Sequence, residues 1–409
     1  MFQRKPYANK ILMVKYPTLT TIVFPILGLL LFSNCVDQKQ EFDASSEWRT
    51  YASDNKFSPL SSINSENVGQ LIEVWRFEAT EEGPGINFNP LVAKGKMFVY
   101  TPSKTIAALN PENGSLIWEF VPDSTKLTTL MRGMTFYDGQ EEHPDAVMFV
   151  HGSTLYKLDI EKGLPVADFG TNGRVDFYTG LQIDDSKMKT VDVTSNAPGV
   201  VHDGLYIVGC MVPDELPSVP GDIRAFNVHT GKLEWVFNTI PKPGEFGADT
   251  WPENARNTNG GANCWGGMTL DRERGIVYIP TASPSFDFYG ADREGQNLFA
   301  NCILALDART GKRIWHFQTT HHDLWDRDNG SPPNLVTVTH EGKEIDAVAL
   351  ATKVGYVFLF DRDTGKPLFP IEEVPVPTEG GLPGETPWPT QPIPVNPESF
   401  VRQGFKAEY

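Results

Sequence analysis

The chain has 409 residues, 40% hydrophobic and 21% charged, the balance of a folded globular protein. Its formal net charge of -17 excludes nucleic acid and an anionic membrane surface as electrostatic partners and favours solubility. With 36 Gly and 32 Pro beside 25 Phe, 12 Tyr and 9 Trp, it reads as aromatic-rich strands separated by many turns.

At the N-terminus, Arg4, Lys5, Lys10 and Lys15 precede the apolar run TIVFPILGLLLF (residues 21–32), which ends at SNC with Cys35. The run is shorter than the ~20 apolar residues that span a bilayer, and its basic flank fits an exported chain. A cysteine directly after an apolar core is the arrangement of a bacterial lipoprotein signal. Residues 1–35 are therefore expected to be a signal peptide ending at a lipid-anchored Cys35, with a plain signal peptide or an uncleaved anchor as alternatives; Met13 begins a more conventional signal than Met1. Residues 36–46 read as a linker. The remaining cysteines, Cys210, Cys264 and Cys302, form neither a CxxCH for covalent haem nor a CxxC for zinc or a redox dithiol, and buried thiols are expected.

From residue 47 onward a phrase recurs. IAALNPENGSLIWEF starts at Ile106, LYKLDIEKGLPVADF at Leu155, IRAFNVHTGKLEWVF at Ile223, ILALDARTGKRIWHF at Ile303 and VFLFDRDTGKPLFPI at Val357. Each copy is an alternating apolar strand, an Asp/Asn-led turn closing on Gly, and a second strand. The Asp or Asn caps the turn, Gly takes the positive φ, and the alternation buries one face. Trp118, Trp235 and Trp315 each follow their turn glycine by four residues and are expected to pack between neighbouring sheets. Hairpin units of ~40–50 residues without helical periodicity predict an all-β fold, a β-propeller rather than a β-sandwich. The turn glycines Gly114, Gly163, Gly231, Gly311 and Gly365 are spaced 49, 68, 80 and 54 residues apart, so the longer intervals hold insertions, placed at 240–265 and 283–300. Such loops are where propeller function sits.

One polar stretch, TTHHDLWDRDNG (residues 319–330), carries two histidines and three aspartates. A zinc site would need spaced His or Cys partners that the chain does not offer, so His321 and His322 are expected to hydrogen-bond. After the last repeat, residues 370–397 contain nine prolines and read as an extended surface crossing rather than a strand pair.

The repeat, the HHDLWD stretch and the segments NGGANCWGGMTLD, NLFANCILALDARTGKRIWHFQTTHHDLWDRD, TKVGYVFLFDRDTG and PWPTQP together resemble the pyrroloquinoline quinone (PQQ) dependent dehydrogenases, especially the quinoprotein glucose dehydrogenases. The resemblance runs from Glu47 to the chain end. It implies a propeller of the eight-bladed quinoprotein type, of which about five to six blades are expected here, over residues 47–369. Residues 370–409 would be the Pro-rich crossing and a truncated end. It also implies PQQ over the central axis beside a divalent cation, Ca²⁺ (or Mg²⁺).

Residue by residue, the resemblance implies that Asp326 is the catalytic base. Lys353, 27 residues further on, matches a lysine that contacts the quinone oxygens, Trp265 a stacking floor for PQQ, and Arg132 an active-site arginine. Glu215, with Asp214 as rival, Ser283 and Asp326 are the implied metal ligands; no chemistry falls to His321, His322 or Asp323. The chain departs from the glucose enzymes at Thr128, where they carry a histidine, which puts glucose itself in doubt. It also lacks the adjacent cysteine pair of the alcohol-oxidising branch. The implied activity is oxidation of a sugar or alcohol hydroxyl, with hydride passed to PQQ and electrons to a membrane quinone or a cytochrome on the periplasmic side. The alternatives are a non-catalytic propeller lipoprotein that scaffolds the outer membrane, and an inactive dehydrogenase fragment.

Overall fold

The copies of the repeat at Ile106, Ile223 and Ile303 fold as the outer two strands of an antiparallel meander, whereas those at Leu155 and Val357 give one strand and then a single bridge, Leu158 to Pro165 and Phe360 to Pro367, instead of the expected second strand. The computed structural model describes residues 47–51, 62–78, 87–123, 131–140, 142–181 and 190–404, so the expected signal peptide, Cys35, the linker and Thr128 lie outside the described residues. The first sheet is β1 (Leu91–Ala93), β2 (Lys96–Tyr100), β3 (Ile106–Leu109) and β4 (Leu116–Phe120); the second is β5 (Thr135–Tyr137), β6 (Ala146–His151), β7 (Thr154–Asp159) and β8 (Arg174–Asp176). The third is β9 (Val200–His202), β10 (Leu205–Val208), β11 (Ile223–Asn227) and β12 (Leu233–Phe237). A short helix, α1 (Ala255–Thr258), and β13 (Gly260–Gly261) follow in the first insertion. The fourth sheet is β14 (Thr269–Asp271), β15 (Ile276–Pro280), β17 (Cys302–Asp307) and β18 (Arg313–Gln318), interrupted by β16 (Pro284–Ser285) in the second insertion. A three-stranded sheet, β19 (Asn334–His340), β20 (Lys343–Ala351) and β21 (Val357–Asp361), completes the series.

The turns form for the reason the sequence suggests. Asn110, Asp159, Asn227, Asp307 and Asp361 each accept the backbone N–H two residues on, at 2.8–3.2 Å. The closing glycines Gly114, Gly163, Gly231, Gly311 and Gly365 hold φ between 65° and 71°, where a side chain is strained. Each tryptophan leans on the next sheet's turn: Trp118 donates to Ile160 O, Trp235 to Ala308 O and Trp315 to Arg362 O. Trp75, which the repeat does not single out, does the same for the first sheet through Pro111 O. The degenerate copy after Leu155 has no tryptophan, and its neighbour's turn at Gly231 is packed instead by Val175 and Gly170.

The cores lie between successive sheets. Phe98, Ile106, Phe149 and Tyr156 fill the first gap, Val150, Phe169, Tyr206 and Phe226 the second, Ile207, Ile223, Leu270 and Leu304 the third, and Tyr278, Trp315, Val348 and Phe360 the fourth. Stacked sheets with first strands side by side, β5 near β9 and β14 near β19, are the propeller architecture that the repeat predicts. The three cysteines Cys210, Cys264 and Cys302 are buried and unpaired, as expected.

The Pro-rich segment departs from expectation. Ile371–Pro375 (β22) and Thr390–Pro394 (β23) do pair, antiparallel, with Ile371 opposite Pro394 and Pro375 opposite Thr390. A two-stranded ribbon gives every strand a free edge, and a proline whose missing N–H falls on that edge costs no ladder bond. Among the described residues no helix is long and apolar enough to cross a membrane.

Candidate cofactor site

The two insertions and the HHDLWD loop meet where the first strands of the sheets begin. Backbone bonds stitch the approaches together: Asn89 N–H donates to Arg132 O (2.8 Å) and Arg132 N–H to Asn196 O (2.7 Å). Strands β13 and β16 pair Gly260 with Ser285 and Gly261 with Pro284, tying one insertion to the other. Ala262 N–H adds a bond to Ser283 O at 2.8 Å, which sets Trp265 and Ser283 on a shared frame.

The 319–330 loop winds around a buried carboxylate. Asp323 Oδ1 accepts Trp325 N–H (2.9 Å), and Oδ2 accepts Arg327 N–H (2.6 Å), Ser283 Oγ–H (2.5 Å) and Asn301 Nδ2–H (2.9 Å). Its carbonyl receives the buried Arg293 guanidinium at 2.5 Å. Four donors on one side chain bend the loop back on itself, and Asp326 emerges with φ 52°. His322, Asn301, Asn297 and Ala262 also hold φ between 44° and 63°. Non-glycine residues in that region cost on the order of 1–3 kcal/mol each and gather where the surrounding structure overrides local preference, most often at functional sites.

Asp326 accepts the Lys353 ammonium at 2.5 Å. Partial burial works against the lysine's charge, yet the hydrogen bond and charge of Asp326 outweigh it and raise its pKa. Asp328, two residues along, accepts Trp265 Nε1–H at 2.8 Å and Ser283 N–H at 2.7 Å; burial, more than any neighbour, pushes its carboxyl up. The Arg132 guanidinium lies 4.6 Å from the centroid of the Trp265 ring. The sequence-derived Arg132, Trp265 and Ser283 are thus joined through Asp328 in one set of contacts, and Asp326 with Lys353 forms a second, tied to the first by the two-residue step of chain from Asp326 to Asp328.

Glu215 stands less centrally. It is exposed, as is the adjacent Asp214, whose carboxyl is nonetheless raised, by partial desolvation first and then by Asp326. The sequence reading passed over Asp287, whose carboxyl is pushed up to about 8, first by burial and then by Asp214, Asp328, Asp326 and Asp323. Its carbonyl also receives Asp326 N–H at 3.3 Å. The only sequence signal for it was its position inside the second insertion. Asp328 is the second acid of an Asp-x-Asp within TTHHDLWDRDNG. Each histidine of the pair supports the frame. His321 contacts Gln318 Oε1 (2.6 Å) and Glu373 Oε1 (3.1 Å), reaching the β22–β23 ribbon, while His322 Nδ1 bonds Gly295 O at 2.8 Å.

The donor set suits a planar, anionic, quinone-like ring and a hard cation. An indole face with a guanidinium over it can take a flat ring carrying carboxylates. Four aspartates lie within electrostatic reach of Asp287, and Asn301 Oδ1 is buried beside Ser283 and Asp323 without a hydrogen-bond partner. All-oxygen donors of that kind fit Ca²⁺ or Mg²⁺ rather than zinc. Among the described residues no three His, Cys, Asp or Glu side chains form a ready-made cage.

Residues 46–408 match the family described as "PQQ: Glucose/ethanol/alcohol dehydrogenase, beta-propeller domain". The chain is 31% identical over 370 residues to quinoprotein glucose dehydrogenase A of Acinetobacter calcoaceticus, covering 82% of this chain and 45% of that protein. It is also 31% identical over 381 residues to the glycerol dehydrogenase large subunit of Gluconobacter thailandicus, covering 87% and 50%. Among solved structures, the quinohemoprotein alcohol dehydrogenase ADHIIG of Pseudomonas putida superposes with a TM-score of 0.68 at 26% identity, covering 86% of this chain and 51% of that one. The chain therefore spans about half the length of the relatives it matches.

Proposed function

Because this chain belongs to the β-propeller family of PQQ-dependent glucose, ethanol and alcohol dehydrogenases, we propose that it serves PQQ-dependent oxidation of a sugar or alcohol hydroxyl. The observation that carries the proposal is the Asp326–Lys353 pair set in the same loop system as the Trp265–Asp328 contact.

Bound PQQ would supply an electrophilic carbonyl that accepts hydride, made more so by a divalent cation on its oxygens. Trp265 would hold the ring by stacking, and Arg132 its negative edge. Asp326 would take the substrate's hydroxyl proton, held within reach by its left-handed backbone and by Lys353. The lysine, kept cationic, stabilises negative charge that develops on oxygen beside it. Ser283 Oγ, Asn301 Oδ1 and carboxylates of the Asp214–Glu215 and Asp326 loops would hold the cation. Electrons would leave to a membrane quinone or a cytochrome, and Cys35 would tether the chain on the periplasmic side.

The test is addition of PQQ and Ca²⁺ to the purified chain. Quenching of tryptophan emission and dye reduction across aldoses and alcohols are the expected result. No quenching and no turnover on any of them overturns the reading.

A further inference from the structure

We infer that Asp328 is a positioning residue that holds the Trp265 indole in register with Asp326. The inference rests on the reading of Trp265 as the surface that carries PQQ. Asp328 Oδ2 accepts the indole N–H at 2.8 Å while Oδ1 accepts Ser283 N–H at 2.7 Å. An indole has a single N–H, so one well-placed acceptor fixes the rotation of the whole ring. The same loop restrains the other end of that ring: a Cβ at Gly330 would sit 2.9 Å from Trp265 Cζ2 and 3.0 Å from Cη2. Trp265 is therefore held at its N–H by Asp328, while Gly330 two residues on lies close enough to its benzo edge that no side chain would fit between them.

The consequence is mechanical. The loop that presents Asp326 also sets the plane of Trp265, so the base and the stacking face move as one body. Ser283, taken in by the second oxygen of Asp328, is carried with them. Asp328 touches neither substrate nor cofactor in this account and acts through Trp265.

Asp328→Asn keeps the shape but offers one acceptor and one N–H₂, so it must fail either the indole or the Ser283 amide. In the full chain it is expected to weaken PQQ binding, read by tryptophan quenching, roughly tenfold or more, the loss of a hydrogen bond to a charged group. Trp265→Phe keeps an aromatic face without the N–H. In that background Asp328→Asn should add no more than about twofold, the mark of two residues acting through one contact. Without PQQ, the ¹⁵N-labelled indole resonance assigned to Trp265 should shift in Asp328→Asn, with far-ultraviolet circular dichroism unchanged. An equal loss of binding in both backgrounds, or an unmoved Trp265 resonance, overturns the inference. A resonance that moves in Asp328→Asn while the wild-type chain binds no PQQ supports the positioning role and counts instead against the cofactor reading.

Discussion

Lys353 Nζ lies 2.5 Å from Asp326 Oδ2, across 27 residues of chain that include the whole β19–β20 hairpin. The pair is open to solvent, with the lysine side chain 48% exposed and the aspartate 24%, so it contributes little to stability. Its value is local: a cation is fixed beside the group that would take a proton. Asp326→Asn is expected to lower kcat by a factor of ~10²–10⁴, the worth of a positioned general base, while PQQ binding persists. Lys353→Ala should weaken PQQ binding and also lower kcat. Both variants should unfold within about 1 kcal/mol of wild type in urea. Dye-reduction kinetics with quenching titrations separate the two effects; an Asp326→Asn enzyme of undiminished kcat would remove Asp326 from the chemistry.

Asp287 and Asp214 predict cation dependence. Burial and four neighbouring aspartates push Asp287 up to about 8, the mark of a carboxyl in a site short of positive charge. Ca²⁺ added at neutral pH is expected to raise Tm; at ~100 times its Kd a ligand adds about 2.7 kcal/mol. The double substitution Asp214→Asn with Asp287→Asn should blunt that rise, and a chelator should reverse it in the wild type. A rise matched by NaCl at equal ionic strength would assign the effect to screening instead.

The parts of the molecule that the chain dictates locally were legible, and those that depend on convergence were not. An Asx turn, a positive-φ glycine and a tryptophan four residues on are set by local backbone chemistry, so Gly311 and Trp315 could be placed before any fold was in hand. Trp75 was missed because it lies in no copy of the repeat; only the stacking of its neighbour's turn gives it the same work. Asp326, Lys353 and Trp265 were reached through family resemblance, since a lone Asp in a polar loop looks like any solvated turn. Asp287 had no local signature. It becomes unusual only when folding brings four other carboxylates around it. The Pro-rich ribbon was misread because proline count speaks against a ladder only where both edges of a strand are used, and β22 and β23 use one each.

Gly311 offers a test of how the sheets are joined. A Cβ there would lie 2.5 Å from Trp235 Cε3 at a φ of +68°. Gly204 has a similar φ of +74° with nothing within 4 Å. Gly204→Ala should therefore cost only the left-handed backbone term, about 1–2 kcal/mol. Gly311→Ala should cost that plus about 1–3 kcal/mol of overpacking against the indole. Urea unfolding of the two variants measures the difference directly. Equal losses would mean that the Trp235 contact yields without strain.

His151 and His316 predict how the chain responds to acid. His151 faces Tyr100 of the neighbouring sheet and His316 faces Phe246 and Phe299, and both have pKa values lowered to about 4, in each case first by burial and then by a nearby cation, Lys104 for His151 and Arg313 for His316. His151 Nε2 faces Tyr100 Oη at 3.4 Å, and the His316 ring stands edge-on to Phe299 at 5.0 Å. Each is neutral when folded but takes a proton near pH 6.5 when unfolded, so the unfolded state binds more protons between those values. Their contribution is fully present above pH 6.5 and is lost as pH falls toward 4, at on the order of 1 kcal/mol per pH unit for each histidine. His316→Phe, which keeps an aromatic ring against Phe299 and cannot titrate, should remove one histidine's share of that slope. Urea unfolding of both proteins at pH 7, 6 and 5 reads it, since the carboxylates that begin to titrate toward pH 4 are common to the two and cancel in the difference. A slope unchanged in His316→Phe would assign the acid sensitivity to carboxylates released from their partners instead.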